Sequence, residues 1–198
     1  MIYFISDKGN LSEEMWQECM RQRMREGVEY IIIRDKGHFE TQRVKKLMDY
    51  KKKYSEIKTK IIVHSDFKLV QETEADGIHL PYELWKKYRK EEVFKRWHQG
   101  KLVGISIHNI EEAKIAEQQV DYMILSPVFH PSCKAIEGKG IAWFKEIQEQ
   151  ISTPVVALGG IIPERVKELY KVGIKDIAVM SYLMCSENNL RDLRGENI

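Results

Sequence analysis

Long hydrophobic runs are missing. No apolar stretch of this chain approaches the ~18 residues needed to span a bilayer, which excludes an inserted helix. Cysteine is scarce as well: Cys19, Cys133 and Cys185 are odd in number and lack Cys-x-x-Cys spacing, which argues against a disulfide framework and a structural zinc site. Reduced thiols in a cytosol are the simplest account. Neither sign of charge dominates. Lys and Arg number 32 against 30 Asp and Glu, and a formal net charge of +2 supplies no large field for nucleic acid or a membrane surface. The opening run, Met1-Ile2-Tyr3-Phe4-Ile5-Ser6-Asp7, has no basic lead and no small-residue cleavage site, so a strand is expected there and not a signal peptide. These absences lead us to expect a cytoplasmic protein with no nucleic-acid or membrane partner.

What is present suffices for one core. A chain of 198 residues with 43% hydrophobic content is expected to form a single domain over residues 1–198. Short β-branched runs alternate with longer amphipathic segments, the pattern of parallel strands joined by crossover helices. Strands are predicted near Ile2 to Ser6, Tyr30 to Arg34, Lys60 to His64, Gly77 to Leu80, Leu102 to Ser106, Tyr122 to Leu125, Val155 to Ala157 and Ile177 to Met180. Helices are predicted from Thr41 to Tyr54, Pro81 to His98, Ile110 to Gln118, Ala142 to Gln150 and Pro163 to Val172, with a shorter segment after His64. In the first helical pattern, Met15, Trp16, Cys19, Met20 and Met24 share one face and are expected in the core. The basic stretches Lys51 to Lys53 and Lys86 to Arg96 are read as solvated faces of outer helices. Eight strands in unbroken alternation fit a closed barrel or an open doubly wound sheet; we choose a small (β/α)8 barrel. The chain lies at the short end for that fold, so the last helix must be brief, in keeping with the polar tail from Ser186 to Ile198.

A parallel barrel delivers every strand's C-terminal end to one face, so candidate site residues follow from the strand positions. Three places stand out. The segment Ala157-Leu158-Gly159-Gly160-Ile161-Ile162-Pro163 ends a strand in two glycines before a helix opening at proline. It is either a phosphate cradle, with Met180 and Ser181 after the eighth strand as its other half, or a tight turn. The fifteen residues from Ser126 to Gly140 carry His130, Ser132, Cys133 and Lys134; His130 is either an acid/base group or an unremarkable loop histidine. In Ile33-Arg34-Asp35-Lys36, an arginine ends a buried strand and can clamp an anion or pair with a carboxylate such as Asp35.

The order of these places resembles the superfamily of thiamine phosphate synthase and the TenI-type thiazole tautomerase. Nearly the whole chain takes part, through Arg34-Asp35-Lys36, Ala75-Asp76-Gly77-Ile78-His79-Leu80, Ser106-Ile107-His108, Ser126-Pro127-Val128-Phe129, Cys133-Lys134, Glu137-Gly138-Lys139-Gly140, Ala157-Leu158-Gly159-Gly160-Ile161 and Ala178-Val179-Met180-Ser181. The resemblance implies a thiazole phosphate ligand and, for a synthase, a pyrimidine pyrophosphate that loses its pyrophosphate with magnesium help. The sequence departs from both patterns. The synthase's Asn-Asp pair after strand three falls on His64 and Ser65, and its second magnesium aspartate falls on or near Leu84; Asp66 and Glu83 are the neighbouring carboxylates. The tautomerase's catalytic histidine corresponds to Pro127, and the synthase's threonine pair to Pro131 and Cys133.

The leading expectation is therefore a TenI-like tautomerase. Gly159, Gly160, Met180 and Ser181 would hold the phosphate, with Arg34, Lys36, Ser106, Ser132, Cys133 and Lys134 completing the site. His130, with His64 in reserve, would move the proton beside Lys134. The alternatives are an active synthase with Asp66 or Glu83 as relocated magnesium ligands, and a non-catalytic ligand-binding regulator. No resident cofactor is expected, apart from magnesium if the chain is a synthase; self-association is left open.

Overall fold

The computed structural model describes residues 1–7, 9, 11–34, 41–130, 137–184 and 187–195. Eight parallel strands pair in chain order: β1 (Ile2–Ser6), β2 (Tyr30–Ile33), β3 (Lys60–His64), β4 (Gly77–Pro81), β5 (Leu102–Ile107), β6 (Tyr122–Leu125), β7 (Val155–Leu158) and β8 (Ile177–Val179). β8 pairs back onto β1, so the sheet closes into a small (β/α)8 barrel, as the alternation predicts. Around it run α1 (Glu13–Arg25), α2 (Thr41–Lys53), α3 (Phe67–Thr73), α4 (Tyr82–Tyr88), α5 (Glu92–His98), α6 (Ile110–Ala116), α7 (Gly140–Gln148), α8 (Pro163–Lys171), α9 (Ser181–Met184) and α10 (Leu190–Arg194). Among the described residues no helix is long and apolar enough to cross a membrane.

Side chains on a strand alternate between faces, and here the alternation sorts two cores. Ile31, Ile33, Ile61, Val63, Ile78, Leu80, Val103, Ile105, Met123 and Leu125 face outward into the layer shared with the helices. Tyr3, Ile5, Ile32, Ile62, Tyr122, Ile124, Val156 and Ala178 face inward and fill the barrel. Gly104 on β5 is required by this filling: a Cβ there would lie 2.0 Å from Cζ of Tyr122, so the tyrosine ring occupies the space a β5 side chain would take. At the N-terminal end of the barrel, Tyr3 stacks on Tyr30 at 4.2 Å between ring centroids and lies 4.9 Å from Tyr122. That end is stitched by carboxylates: Asp76 accepts from Ile61 N–H and pairs with Lys51, and Asp121 accepts from Val103 N–H.

Three expectations need correction. The single helix from Pro81 to His98 is two, α4 and α5, broken at Arg89 to Glu91. Trp85 and Phe94 are nine residues apart, which on one straight helix would point them to opposite sides; the break lets both be buried. Met15 does not join the apolar face of α1: it is 60% exposed. The buried stripe centres on Trp16, Met20 and Arg23, and Met15 sits about 100° away at that periodicity. The chain after Met184 is more than a polar tail, because α10 buries Leu190 and Leu193.

Candidate functional site

The inward parity that fills the barrel continues to its C-terminal mouth. Arg34, His64, Ser106, Ser126, Leu158 and Met180 occupy the same alternating positions as the core residues below them, so the chemistry-bearing groups of β2, β3, β5 and β6 converge there. β4 contributes a histidine one step lower. His79 is 2% exposed and shares hydrogen bonds through Nε2 with the Ser106 hydroxyl at 2.8 Å and through Nδ1 with the Tyr122 hydroxyl at 3.2 Å. Its ring stacks on Tyr122 at 5.6 Å and on His64 at 5.7 Å. A neutral imidazole supplies one donor and one acceptor, and the two hydroxyls satisfy both. Burial first, then the neighbouring His64 and Arg34, pushes His79 well below the ordinary imidazole range.

His64 lies at the end of β3, and its Nδ1 shares a 2.8 Å hydrogen bond with the Ser65 hydroxyl. Burial, with Arg34 adding to it, lowers His64 to about 4, so the ring is neutral at pH 7. Ser65 is held in the left-handed region, φ 63°, by donating its N–H to the His79 carbonyl at 2.9 Å. Outside this pair a cavity of about 480 Å³ opens between His64, Ser65, Phe67 and Tyr88. Arg34 is partly buried at the rim and makes no ion pair among the described residues.

Across the mouth, the chain after β6 extends the sheet. Val128 N–H donates to the Leu158 carbonyl at 2.8 Å and Phe129 N–H to that of Gly159 at 3.1 Å, while Lys139 and Gly140 return to Pro127 and Val128. The two glycines are demanded by this close approach. Gly159 has φ 115° and Gly160 φ 60°; a Cβ on Gly159 would meet Pro127 Cα at 2.9 Å, and one on Gly160 would meet the His130 carbonyl at 2.4 Å. Arg165, on the first turn of α8, donates to the Gly160 carbonyl at 2.7 Å and covers the Phe129 ring at 5.0 Å. Met180 packs on the inner core and exposed Ser181 opens α9. That short helix is fastened from behind, where buried Arg23 donates to the Leu183 carbonyl at 3.0 Å.

Comparison with known proteins decides the family. A family model, TMP-TENI, described as thiamine monophosphate synthase, matches residues 2–183. The chain belongs to this family. It is 30% identical over 201 residues to the thiamine-phosphate synthase of Archaeoglobus fulgidus, covering 98% of this chain and 90% of that one. It is 31% identical over 199 residues to that of Bacillus cereus strain AH187, covering 94% and 86%. Among solved structures, the thiamine phosphate pyrophosphorylase of Pyrococcus furiosus superposes with a TM-score of 0.76 at 25% identity, covering 98% of this chain and 93% of that one.

Within this thiamine monophosphate synthase family barrel, the sequence candidates divide into groups. Arg34, His64 and Ser106 lie together at one side of the mouth, and Gly159, Gly160, Met180 and Ser181 at the other. His130 is exposed, with its carbonyl facing Gly160 and Arg165. Lys36, Ser132, Cys133 and Lys134 lie outside the described residues. Sequence reasoning did not single out His79, Tyr122 or Arg165. The signal for His79 was there: a histidine between Ile78 and Leu80 on a strand must face the interior if its neighbours face the helices.

The two carboxylates proposed as magnesium ligands have other work. Asp66 caps α3, accepting from Leu69 N–H at 2.8 Å. Glu83 is exposed on α4, 3.3 Å from the Lys86 ammonium, and Leu84 beside it packs into the apolar layer. Among the described residues no group of three His, Cys, Asp or Glu is placed to hold a metal ion. Magnesium takes oxygen ligands and tolerates little displacement from octahedral geometry, whereas the described ends of β2, β3 and β5 offer a guanidinium, an imidazole and hydroxyls; Asp7, after β1, is the described carboxylate at inward parity on this rim. As placed, Asp66 and Glu83 do not fit magnesium.

Proposed function

We propose that the protein is a thiamine phosphate synthase, joining a pyrimidine pyrophosphate to thiazole phosphate with loss of pyrophosphate. The observation that carries this reading is that the two candidate anion-binding regions lie on opposite sides of one mouth. β3 and β7 lie four strands apart in an eight-stranded barrel, so the His64–Ser65 pair stands across from Gly159 and Gly160, with Arg34 beside His64 at the end of β2 and Ser181 beside the glycines after β8. A reaction between two phosphorylated substrates needs such an arrangement, with the reacting carbon and nitrogen between the ends. The thiazole phosphate would rest on the glycine turn and Ser181, near the α8 N-terminus and its partial positive charge. The neutral His79–Ser106–Tyr122 array would face an uncharged heterocycle. The thiazole nitrogen lone pair forms the new C–N bond while the C–O bond to pyrophosphate breaks and its electrons leave with the pyrophosphate. No proton need move. The full-length similarity to synthases supports the same reading.

A thiazole tautomerase is the second reading. It is favoured by His64, a neutral imidazole at the mouth that can accept a proton; His130 remains the other candidate for that role. The deciding experiment supplies the purified protein with both substrates and follows thiamine phosphate by chromatography, alongside a solvent-deuterium exchange assay on carboxylated thiazole phosphate. Thiamine phosphate formation supports the synthase. Exchange without it, abolished by His64→Gln or His130→Ala, transfers the assignment to the tautomerase.

A further inference from the structure

We infer that Tyr122 and His79 are positioning residues that hold the Ser106 hydroxyl as a hydrogen-bond donor toward the mouth, so that the group received there is an uncharged acceptor such as a ring nitrogen. The inference deepens the proposed synthase reading and rests on it for the identity of that group. The relay starts from a row across three strands. His79 pairs in register with Gly104, and Gly104 with Tyr122, so the three stand level on β4, β5 and β6. Because Gly104 has no side chain, the tyrosine ring lies across β5, where an added Cβ would come 2.0 Å from its Cζ, and its hydroxyl reaches Nδ1 of His79 at 3.2 Å. From the other ring nitrogen, Nε2, the line continues at 2.8 Å to the Ser106 hydroxyl, at the next inward position of β5.

The direction of these bonds follows from what each group can offer. A neutral imidazole has one N–H and one bare nitrogen, and burial keeps His79 neutral. Tyr122 is 2% exposed, and among the described residues its hydroxyl has Nδ1 of His79 as its hydrogen-bond partner. A proton on Nδ1 would leave the phenol hydrogen buried without an acceptor, which is the costly way to fill the site. The phenol therefore donates to Nδ1, Nε2 carries the imidazole proton, and the Ser106 oxygen accepts it. The serine hydrogen is left for the mouth, where Ser106 is partly exposed. In the opposite tautomer Ser106 would donate inward and offer the mouth only lone pairs. A relay with no charge of its own suits a neutral acceptor. Of the two heterocycles in the proposed reaction, the thiazole must keep its nitrogen lone pair for the new bond, so the pyrimidine faces Ser106.

The test reads the ring nitrogens of 15N-labelled histidine in the intact protein by NMR at pH 7, with His79 assigned by its loss in His79→Gln. The expected signature is a protonated Nε2 and a bare Nδ1. In Tyr122→Phe, Nδ1 loses its donor and the two signals should move toward those of exchanging tautomers. Calorimetry with pyrimidine pyrophosphate alone reads the consequence. Ser106→Ala and His79→Leu should each weaken binding roughly three- to tenfold, the range of one neutral hydrogen bond. His79→Gln should recover most of that loss, because its amide can accept from Tyr122 and donate to Ser106. A protonated Nδ1 in the wild type or unchanged His79 signals in folded Tyr122→Phe would overturn the inference. So would wild-type protein that does not bind pyrimidine pyrophosphate, full affinity in folded Ser106→Ala, or a His79→Gln protein that binds no better than His79→Leu. The expected tautomer and affinities in a protein that forms no thiamine phosphate would leave the relay standing and remove the synthase reading.

Discussion

Acid should destabilise this barrel through the histidines at its mouth, and His64→Gln should remove a measurable share of that sensitivity. The imidazole of His64 titrates near 6.5 when unfolded and about 4 when folded, because it is buried and faces Arg34. The folded value is the lower one, so between those limits the unfolded chain binds the extra proton and stability falls as pH falls. Above pH 6.5 both states are neutral and the effect vanishes. At pH 5 nearly all unfolded rings but only about a tenth of folded rings are protonated, which costs about 2 kcal/mol; at pH 4 the cost is about 3 kcal/mol. His79 titrates in the same direction and remains in the variant. The assay is urea unfolding of both proteins at pH 7.5, 6.5, 5.5 and 5.0. Glutamine keeps a hydrogen-bond partner for Ser65 but has no proton to gain, so the stability difference should shift by about 2 kcal/mol in its favour from pH 7.5 to 5.0. Parallel curves over that range would refute the reasoning and mean that His64 is not held neutral by the fold.

Two further substitutions separate structural from chemical roles. Gly160→Ala places a Cβ 2.4 Å from the His130 carbonyl in left-handed backbone, and should cost roughly 2 to 4 kcal/mol in urea unfolding while weakening thiazole phosphate binding. Unchanged stability and affinity would show that the turn and the loop after β6 do not press on each other. Asp66→Ala should lose about 1 kcal/mol of thermal stability from the uncapped α3 and leave the response of any turnover to EDTA unaltered; a new or lost metal requirement would make Asp66 a ligand after all.

Much of the fold was legible because the signals are local. The runs Tyr30 to Ile33, Lys60 to His64 and Tyr122 to Leu125 are bounded by polar residues and fall on the observed strands. Where local pattern misled, packing was the cause. Pro81 to His98 reads as one amphipathic helix until Trp85 and Phe94 must both be buried. Met15 looks apolar and periodic, yet α1 presents Trp16 and Met20 to the core and leaves it in solvent. Part of the candidate site was legible. Arg34, His64, Ser106, Gly159, Gly160 and Ser181 were found by asking which residues follow strands, because a parallel barrel gathers strand ends on one face. His79 and Tyr122 were not singled out because they lie inside strands, where only the closed barrel brings β4, β5 and β6 within hydrogen-bond reach of one another.

The sequence by itself determined the alternation of strands and helices, since period-two and period-3.6 hydrophobicity are properties of neighbouring residues; closure into a barrel instead of an open doubly wound sheet came with the pairing of β8 onto β1. It also determined the departures from the family's acidic pattern: His64 and Ser65 stand where a metal-binding pair is expected. Tertiary structure decided what those departures mean. Only folding buries His64 beside Arg34 and lowers its proton affinity, commits Asp66 to a helix cap, and presses Gly159 and Gly160 against the segment from Pro127 to His130. Each of these depends on groups distant in the chain meeting at a few ångströms, where burial and charge act and sequence spacing does not.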